Sequence, residues 1–363
     1  MTRQSPLLSH PGAVDGGGAD AGVASHYGDP FREQRLLADG QAVVDLSQRG
    51  VVTVSGPDRL SWLNTLSSQL LLGLQPGRSS ETLLLTMQGR IEYWAHVVDD
   101  GATTWLITEG GEAGPLTEWL DRMRFMLQVE VADVTHQWTV LGSTRMLPEL
   151  GEDAVVWEDP WPTVAPGGYA YSDVTDAEHP GRERSWFEYV VPRAKLEEVV
   201  ASTGLALAGS LAAEALRIAA WRPRAGFETD EKTIPHELDL MRTAVHLSKG
   251  CYKGQETIAR VHNLGHPPRR LAFLDLDGSQ HTLPAAGSAV ISDGRTVGRV
   301  SSVAHHHEMG PIALAVLKRS VDATADLLVQ DGEESYAAAQ EVIVAPDAGQ
   351  VVGRATGFLR KPR

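Results

Sequence analysis

The chain has 363 residues, of which 42% are hydrophobic and 22% charged, which is typical of a folded protein with two or three domains. Its 47 acidic residues outnumber its 32 lysines and arginines, and the formal charge of −15 argues against general attraction to DNA or to an anionic membrane. The single cysteine, Cys251, excludes an internal disulfide and any metal site that needs two thiolates from one chain.

Residues 1–30 are rich in glycine, alanine, serine and aspartate and include the run Gly16-Gly17-Gly18, so their composition predicts a disordered leader. The first residues do not form the continuous apolar core of a signal peptide. No stretch approaches the ~18 apolar residues of a membrane-spanning helix. We therefore expect a cytoplasmic protein that has no membrane partner.

Residues 31–137 are predicted to form a first α+β lobe. Two apolar runs, 42–46 and 51–54, are separated by four mostly polar residues and indicate a hairpin. A helix is expected to begin near Ser55. Further apolar segments separated by glycine and aspartate turns predict an antiparallel meander, at 82–86, 91–98 and 104–108.

Residues 138–267 are predicted to form a second α+β lobe. It includes a strand at 186–191 and helices that begin near Pro192 and Ser210. From residue 268 to residue 363, short apolar segments recur at regular spacing with glycine and aspartate turns between them. That pattern predicts a small β barrel or sandwich.

The densest cluster of chemically reactive residues is Lys249-Gly250-Cys251-Tyr252-Lys253-Gly254-Gln255-Glu256. Its glycines permit turns that are closed to other residues and allow a ligand to approach the backbone. Lysines two positions either side of the sulfur favour the thiolate, which is the nucleophilic and metal-binding form. A free cysteine is also commonly a small buried hydrophobe, so a structural thiol is the alternative.

This segment, with Arg260 after it, resembles the signature of the YgfZ-type folate-binding proteins. Those proteins are relatives of the glycine-cleavage T-protein, an aminomethyltransferase, and of iron–sulfur cluster assembly factors. Weaker motifs that resemble the T-protein occur in the same order, so that the resemblance spans about residues 40 to 320: Val44-Asp45-Leu46-Ser47, Val54-Ser55-Gly56-Pro57-Asp58, Leu74-Gln75-Pro76-Gly77, Leu216-Arg217-Ile218 and Ile234-Pro235-His236-Glu237.

The resemblance implies an α+β fold with a two-lobed folate-binding core, antiparallel sheets, covering helices and a C-terminal β barrel. It implies tetrahydrofolate, or a derivative of it, as the bound cofactor. It also implies a role in iron–sulfur cluster assembly or repair, which would indirectly support tRNA modification. Partners would be iron–sulfur client or carrier proteins.

A pterin needs a carboxylate for its amino-pyrimidine edge, aromatic or apolar walls for its rings, and cations for its glutamate tail. By resemblance to the T-protein, Glu188 reads the pterin and Arg217 contacts the folate. From the residues alone, Glu188 could equally point outward from an alternating strand and Arg217 could form a surface ion pair. The other predicted cofactor-binding residues come from the cysteine motif: Lys249, Gly250, Tyr252, Gly254, Gln255, Glu256 and Arg260.

One departure from the T-protein pattern concerns its paired aspartates, one of which serves aminomethyl transfer. Tyr93 and Trp94 stand where that pair would fall. No general acid or base remains there unless Glu92 is redirected, which argues against glycine cleavage. The substitution does not argue against folate binding.

Cys251 is the predicted reactive residue, as an iron or cluster ligand, as a nucleophile for a folate-borne one-carbon unit or a persulfide, or as a structural thiol. An iron–sulfur cluster usually takes four cysteines, so no resident metal is expected and contact with a client or carrier protein is preferred. The segment from His305 to Glu308 alternates across a strand and lacks metalloprotease spacing. Five arginines could line a groove for a polyglutamate tail or RNA, or could be solvated: Arg222, Arg224, Arg260, Arg269 and Arg270.

Three functions remain open at this point. The favoured one is a folate-binding accessory protein for iron–sulfur enzymes. The second is a tetrahydrofolate-dependent one-carbon transferase in which Cys251 or Glu92 takes part. The third is a folate-independent scaffold that docks cluster-bearing clients.

Overall fold

The computed structural model describes residues 4–151 and 154–349. Parts of three predicted units lie outside these ranges: residues 1–3 of the leader, 152–153 of the second lobe and 350–363 of the barrel domain. No helix in the described ranges is long and apolar enough to cross a membrane.

The strands are β1 (Val14–Asp15), β2 (Ala24–His26), β3 (Ala42–Asp45), β4 (Gly50–Ser55), β5 (Ser79–Leu85), β6 (Ile91–Asp99), β7 (Thr103–Thr108), β8 (Glu130–Asp133), β9 (Trp138–Ser143), β10 (Val155–Glu158), β11 (Phe187–Pro192), β12 (Ala206–Ala208), β13 (Arg269–Leu276), β14 (Ala289–Ser292), β15 (Arg295–His306), β16 (Gly310–Lys318), β17 (Leu327–Asp331) and β18 (Glu334–Val342). The α-helices are α1 (Pro30–Ala38), α2 (Arg59–Leu66), α3 (Ala113–Met123), α4 (Leu196–Thr203), α5 (Ser210–Ala219) and α6 (Gln255–Leu264).

The first large sheet is antiparallel, with strand order β5-β6-β7-β4-β8. The predicted meander is therefore confirmed. Its second turn forms because the Asp100 carboxylate accepts hydrogen bonds from the amides of Ala102 and Thr103, while Gly101 takes a positive φ. Apolar side chains on one face of the sheet pack with α2 and α3.

The second large sheet has the order β10-β11-β9-β3-β12. The predicted hairpin between residues 42–46 and 51–54 is wrong, because β3 pairs with β9 and β12 whereas β4 pairs with β7 and β8. The short connection crosses from one sheet to the other, and both strands are interior and largely buried. Two apolar runs joined by a short polar segment look the same in either arrangement. The boundary between lobes at residues 137 and 138 stays a prediction. Strand β3, which precedes that boundary, lies in a sheet whose other strands all follow it.

The C-terminal strands close into a six-stranded barrel with the order β13-β16-β15-β14-β17-β18. β15 approaches β16 closely at Gly298, where a Cβ would lie 2.5 Å from the carbonyl oxygen of Val316. The predicted fold class, α+β with antiparallel sheets and a C-terminal barrel, is confirmed.

The predicted disorder of residues 1–30 is wrong for residues 4–30, which form β1, β2 and a 3-10 turn at Gly18–Asp20 and begin α1. Leu7 and Val23 are fully buried, and Leu7 packs in a cluster with apolar side chains of the second sheet and α4. Asp29 then caps α1 by accepting a hydrogen bond from the Arg32 amide. Average composition conceals these isolated anchors among the small and polar residues.

Candidate functional site

A cleft lies between the two large sheets and is bordered by α5. Its enclosed volume is about 50 Å³, inside a cleft of about 650 Å³ that includes solvent at the mouth. The aromatic rings that line it are Trp94, His96, Trp157 and Trp186. Its charged residues are Asp20, Arg49, Glu109, Asp159, Arg184, Glu188, Glu214, Arg217, Arg222 and Arg224. We call this space the Glu188 cavity.

Glu188 lies on β11 at the floor of this cavity, with a side chain only 1% exposed. Its Oε2 atom is 2.8 Å from Nδ1 of His96, and Oε1 accepts a hydrogen bond of 3.2 Å from Nε1 of Trp186. Burial acts to raise the pKa of Glu188, but His96 and Arg49 outweigh it and hold that pKa well below its ordinary value. The carboxylate is therefore ionised at neutral pH and has lone pairs left for a ligand.

The aromatic walls are held rigidly. The His96 ring stacks on Trp157, with 3.6 Å between ring centroids and an interplanar angle of 3°. The Trp94 indole N–H donates to Glu81, whose side chain is fully buried and is paired with Arg222. These contacts fix flat apolar surfaces beside an anionic group, which suits a planar heterocycle with hydrogen-bond donors on one edge.

Several polar atoms at the cavity wall have no hydrogen-bond partner among the described residues. They are Nε of Arg49, Nε of Arg184 and Oε1 of Gln48, all buried. Native proteins leave few such atoms, and a site that binds a polar ligand is one place where they occur. Two donors and one acceptor on residues that line the cavity are therefore without a protein partner.

Arg217 also lines the cavity, but its guanidinium is fully engaged by the protein. Its five N–H donors bind framework acceptors: the carboxylates of Glu214 and Glu228, the Arg222 carbonyl and the Ser302 hydroxyl. Arg217 therefore connects α5 to the barrel strand β15. Its predicted contact with folate stays a prediction, and any such contact would have to replace one of these bonds.

Arg222 and Arg224 reach the same cavity, whereas the three other arginines of the predicted groove do not line it. Arg269 pairs with Asp230 and Glu237. Arg270 is buried inside the barrel and Arg260 is exposed. The five arginines do not form one groove, because they lie on separate parts of the fold.

A second cavity adjoins the first and shares Trp94, Glu109 and Ala225 with it. Its enclosed volume is about 240 Å³, and Glu92 and Tyr93 are among its lining residues. The Glu92 carboxylate pairs with Lys253 at 3.0 Å. Glu92 directly precedes Tyr93 and Trp94, the two residues that stand where the T-protein has its paired aspartates. It lines the second cavity, which shares wall residues with the Glu188 cavity.

The cysteine motif lies outside the Glu188 cavity. Cys251 is exposed, as are Gly250, Glu256 and Arg260, while Tyr252 is buried. None of the motif residues is among those that line the cavity. Their predicted roles in cofactor binding stay predictions, and the structure does not place them with Glu188.

Lys249 is bound within the protein and is not free to act on the thiol. Its ammonium donates to the carbonyl oxygens of Asn64, Ser67 and Gln69 at 2.6 to 2.7 Å, and burial lowers its pKa to about 8. The other lysine of the motif, Lys253, pairs with Glu92. The two lysines that suggested a stabilised thiolate therefore fasten the loop to neighbouring segments.

Gly254 has a packing role. It takes a positive φ of 86°, and a Cβ there would lie 2.5 Å from the Thr86 carbonyl oxygen. Gly254 thus lets the turn between β5 and β6 lie against the start of α6. The Gln255 amide makes a long contact of 3.4 Å to the Lys249 carbonyl and closes the loop.

No group of three His, Cys, Asp or Glu side chains in residues 4–151 and 154–349 is arranged to hold a metal ion. In the histidine run, Nδ1 of His306 accepts hydrogen bonds from the amides of Glu308 and Met309. That ring therefore serves the turn between β15 and β16.

Sequence reasoning missed several cavity residues. His96, Trp157 and Arg49 lie on different elements and carry no motif, and Asp20 lies in the segment that composition assigned to disorder. Alternation along the strand at 91–98 could have suggested that His96 shares a face with Trp94. Nothing local indicates its stacking on Trp157.

Comparisons with known proteins agree on the fold. No family model matches the chain. A protein of Arabidopsis thaliana, provisionally named a chloroplastic transferase, is 26% identical over 313 residues, which is 80% of this chain and 68% of that protein. An aminomethyltransferase of Streptomyces avermitilis is 24% identical over 311 residues, 80% of this chain and 81% of that one.

Among solved structures, the glycine cleavage system aminomethyltransferase T of Bartonella henselae superposes with a TM-score of 0.73 at 16% identity, covering 95% of this chain and 97% of that one. The chain therefore has the fold of aminomethyltransferase T, and the two sequence relatives described above are named a transferase and an aminomethyltransferase.

Proposed function

We propose that the chain binds tetrahydrofolate, or a derivative of it, in the Glu188 cavity and acts as an accessory protein for iron–sulfur enzymes. The observation that carries the folate proposal is a buried, ionised carboxylate set among aromatic rings in a cleft with several guanidinium groups. Glu188 would pair with the amino-pyrimidine edge of the pterin, and its rings would lie against Trp94 and against His96, which Trp157 supports from behind. The similarity to named aminomethyltransferases supports this proposal.

The folate proposal is tested by titration calorimetry of the full chain with tetrahydrofolate under reducing conditions. Glu188→Gln keeps an acceptor for the Trp186 indole but removes the charge. We expect about a hundredfold loss of affinity, which corresponds to one strong charge-assisted hydrogen-bond pair. Glu149→Gln, at an exposed ion pair with Arg145, is the matched control. Equal affinities of Glu188→Gln and wild type would refute the proposal.

The iron–sulfur part of the proposal is supported by the exposed thiol of Cys251, which a client or carrier protein could reach. It is tested in a strain that lacks the gene, by measuring cluster-enzyme activities and thiolated tRNA bases after complementation. Cys251→Ser should fail to restore them, whereas Ser248→Ala, an exposed neighbour, should restore them fully. Full rescue by Cys251→Ser would show that the thiol is not required. Normal cluster-enzyme activities and thiolated bases in the deletion strain would refute the role in cluster assembly.

A one-carbon transferase is a second candidate, because Glu92 faces the cavity that adjoins Trp94. Incubation with methylene-tetrahydrofolate and amine acceptors tests it. An enzyme would consume the folate over many turnovers and would lose that activity in Glu92→Gln. An accessory protein would bind the folate without consuming it. A protein that binds no folate but still docks clients would instead be a scaffold.

A further inference from the structure

The N-terminal tip, residues 16–22, reaches into the Glu188 cavity from a segment far away in the chain. Asp20 lines that cavity, and the adjacent Ala19 lines the second cavity. The two cavities share Trp94, Glu109 and Ala225 as wall residues. The tip therefore borders both spaces, and the enclosed volume of the Glu188 cavity beside it is only about 50 Å³.

The Asp20 carboxylate binds Arg224 through two oxygens. Oδ1 is 2.8 Å from one terminal nitrogen of the guanidinium and Oδ2 is 3.4 Å from the other. Oδ1 also accepts a hydrogen bond of 2.9 Å from the Gln48 amide. The remaining donors of Arg224 bind Glu109 and Glu214. A paired contact of this kind is the geometry with which arginine recognises a free carboxylate.

Arg217 and Arg224 differ in the groups that hold their guanidinium ions. Every donor of Arg217 binds a framework group. Arg224 gives part of its guanidinium fork to the tip. A ligand carboxylate that replaced Asp20 at Arg224 would leave the number of charges around this buried arginine unchanged, so the exchange avoids stranding a cation.

The tip is a glycine-rich turn between two fixed ends. Gly16, Gly17 and Gly18 precede Asp20 and Gly22 follows it. An added Cβ at Gly17 or Gly18 would meet no atom within 4 Å, whereas one at Gly16 would lie 2.5 Å from the Asp20 carbonyl oxygen. On either side the chain is anchored by fully buried Leu7 and Val23. Glycines in open space between fixed anchors can absorb the backbone rotation of a hinge.

We propose that Arg224 is a carboxylate-recognition site that Asp20 occupies in the closed form, and that the tail carboxylate of the bound folate displaces Asp20 and with it the tip. This inference rests on the proposed function, because the incoming carboxylate belongs to the folate. The tip is then an internal competitor. Apparent affinity for a carboxylate-bearing ligand falls with the fraction of molecules that are closed.

The experiment compares two ligands, tetrahydrofolate and 6-methyltetrahydropterin, which has the pterin but no carboxylate. Affinities are measured by calorimetry on the full-length wild type, Asp20→Asn and the control Asp15→Asn. Asp15 lies in the same segment, and its carboxylate accepts only a local hydrogen bond, from the Gly22 amide. Loss of the Asp20 charge should raise the tetrahydrofolate affinity about fivefold, as expected for one partly exposed ion pair. The pterin affinity should stay the same, and Asp15→Asn should behave as wild type.

Hydrogen exchange of residues 16–22 tests the displacement of the tip independently of the affinities. These amides should exchange faster when tetrahydrofolate is bound and should be unaffected by the pterin. The inference is overturned if Asp20→Asn leaves the tetrahydrofolate affinity unchanged, if it raises both affinities equally, or if Asp15→Asn has the same effect. In those cases the proposed function still stands, because both ligands bind. Failure of both ligands to bind any of the three proteins would overturn the proposed function and this inference together.

Discussion

The Glu188 cavity and the cysteine motif are held together in different ways. The cavity is fastened by ion pairs between distant segments, such as Arg222 with Glu81, in which both side chains are at least 95% buried. The motif loop is fastened through the backbone, by the Lys249 ammonium on three carbonyls and by the close packing of Gly254. Lys249 and Gly254 of the motif therefore have structural tasks, while Cys251 is exposed. Most of the cavity, by contrast, is assembled from residues that no motif marks.

The resemblance assigned ligand binding and thiol chemistry to one site, whereas the structure has Glu188 and Cys251 in different places. In the proposed function, recognition of a planar ligand belongs to Glu188 and the aromatic rings. The exposed thiol of Cys251 can be reached from outside the cavity. Ligand binding and contact with a partner protein can then be altered independently, which is what an accessory protein that couples the two would require.

The largest expected effect is the loss of one buried cation at the cavity. Arg222→Ala would leave the fully buried Glu81 carboxylate without its cation, with the Trp94 indole still donating to it, and would leave Asp159 paired with Arg184 alone. It should lower the free energy of unfolding by about 3 to 5 kcal/mol. Arg124→Ala, which breaks an exposed pair with Asp121, should lower the free energy of unfolding by less than about 1 kcal/mol. Urea denaturation measures both. Similar costs for the two variants would mean that buried charge does not hold the cavity together.

Acid should weaken the same network. Burial acts to raise the pKa of Glu214, but Arg217 and Arg224 lower it to about 2 from an ordinary 4.5. Because the folded pKa is the lower one, this carboxylate stabilises the protein fully above about pH 5, and its contribution is lost as the pH falls towards 2. Protonation of Glu214 alone should lower the free energy of unfolding by about 2 kcal/mol at pH 3, compared with pH 7. Urea denaturation at pH 7, 4 and 3 tests this, and an unchanged free energy at pH 3 would contradict it.

The smallest of these effects concerns the motif loop. Lys249→Met would leave three carbonyl oxygens without their donor, and it should lower the free energy of unfolding by about 1 to 2 kcal/mol, since removal of a buried charge offsets part of the loss. Lys253→Met loses only a partly exposed pair with Glu92 and should cost under about 1 kcal/mol. The order of the two variants in urea denaturation is the result to check. The reverse order would show that the loop is fastened at Lys253.

Local pattern was sufficient for much of the fold. The meander of β5, β6 and β7 and most of the barrel follow from short apolar segments and glycine or aspartate turns, because antiparallel neighbours are joined by nearby turns. The partition of β3 and β4 between two sheets could not be predicted, since both are buried apolar runs. The order of residues 4–30 depends on a few anchors that composition averages out.

The site was predictable only in part. Glu188 was expected from its resemblance to the T-protein, and the structure places it in a cavity with aromatic walls. The pairing of Asp20 with Arg224 joins residues 204 positions apart in the chain. No periodicity or spacing reports such a contact. The hydrogen bond from Arg217 to Ser302 likewise depends on the position of the barrel, and the sequence of α5 alone does not predict it.

A crystal structure of the full chain with tetrahydrofolate would examine the location of the ligand directly. We expect the amino-pyrimidine edge within hydrogen-bond distance of the Glu188 carboxylate, the pterin rings against Trp94 and His96, and the Cys251 loop free of ligand. A folate bound against the Cys251 loop, with Glu188 still contacted only by His96 and Trp186, would contradict the assignment of the binding site to this cavity.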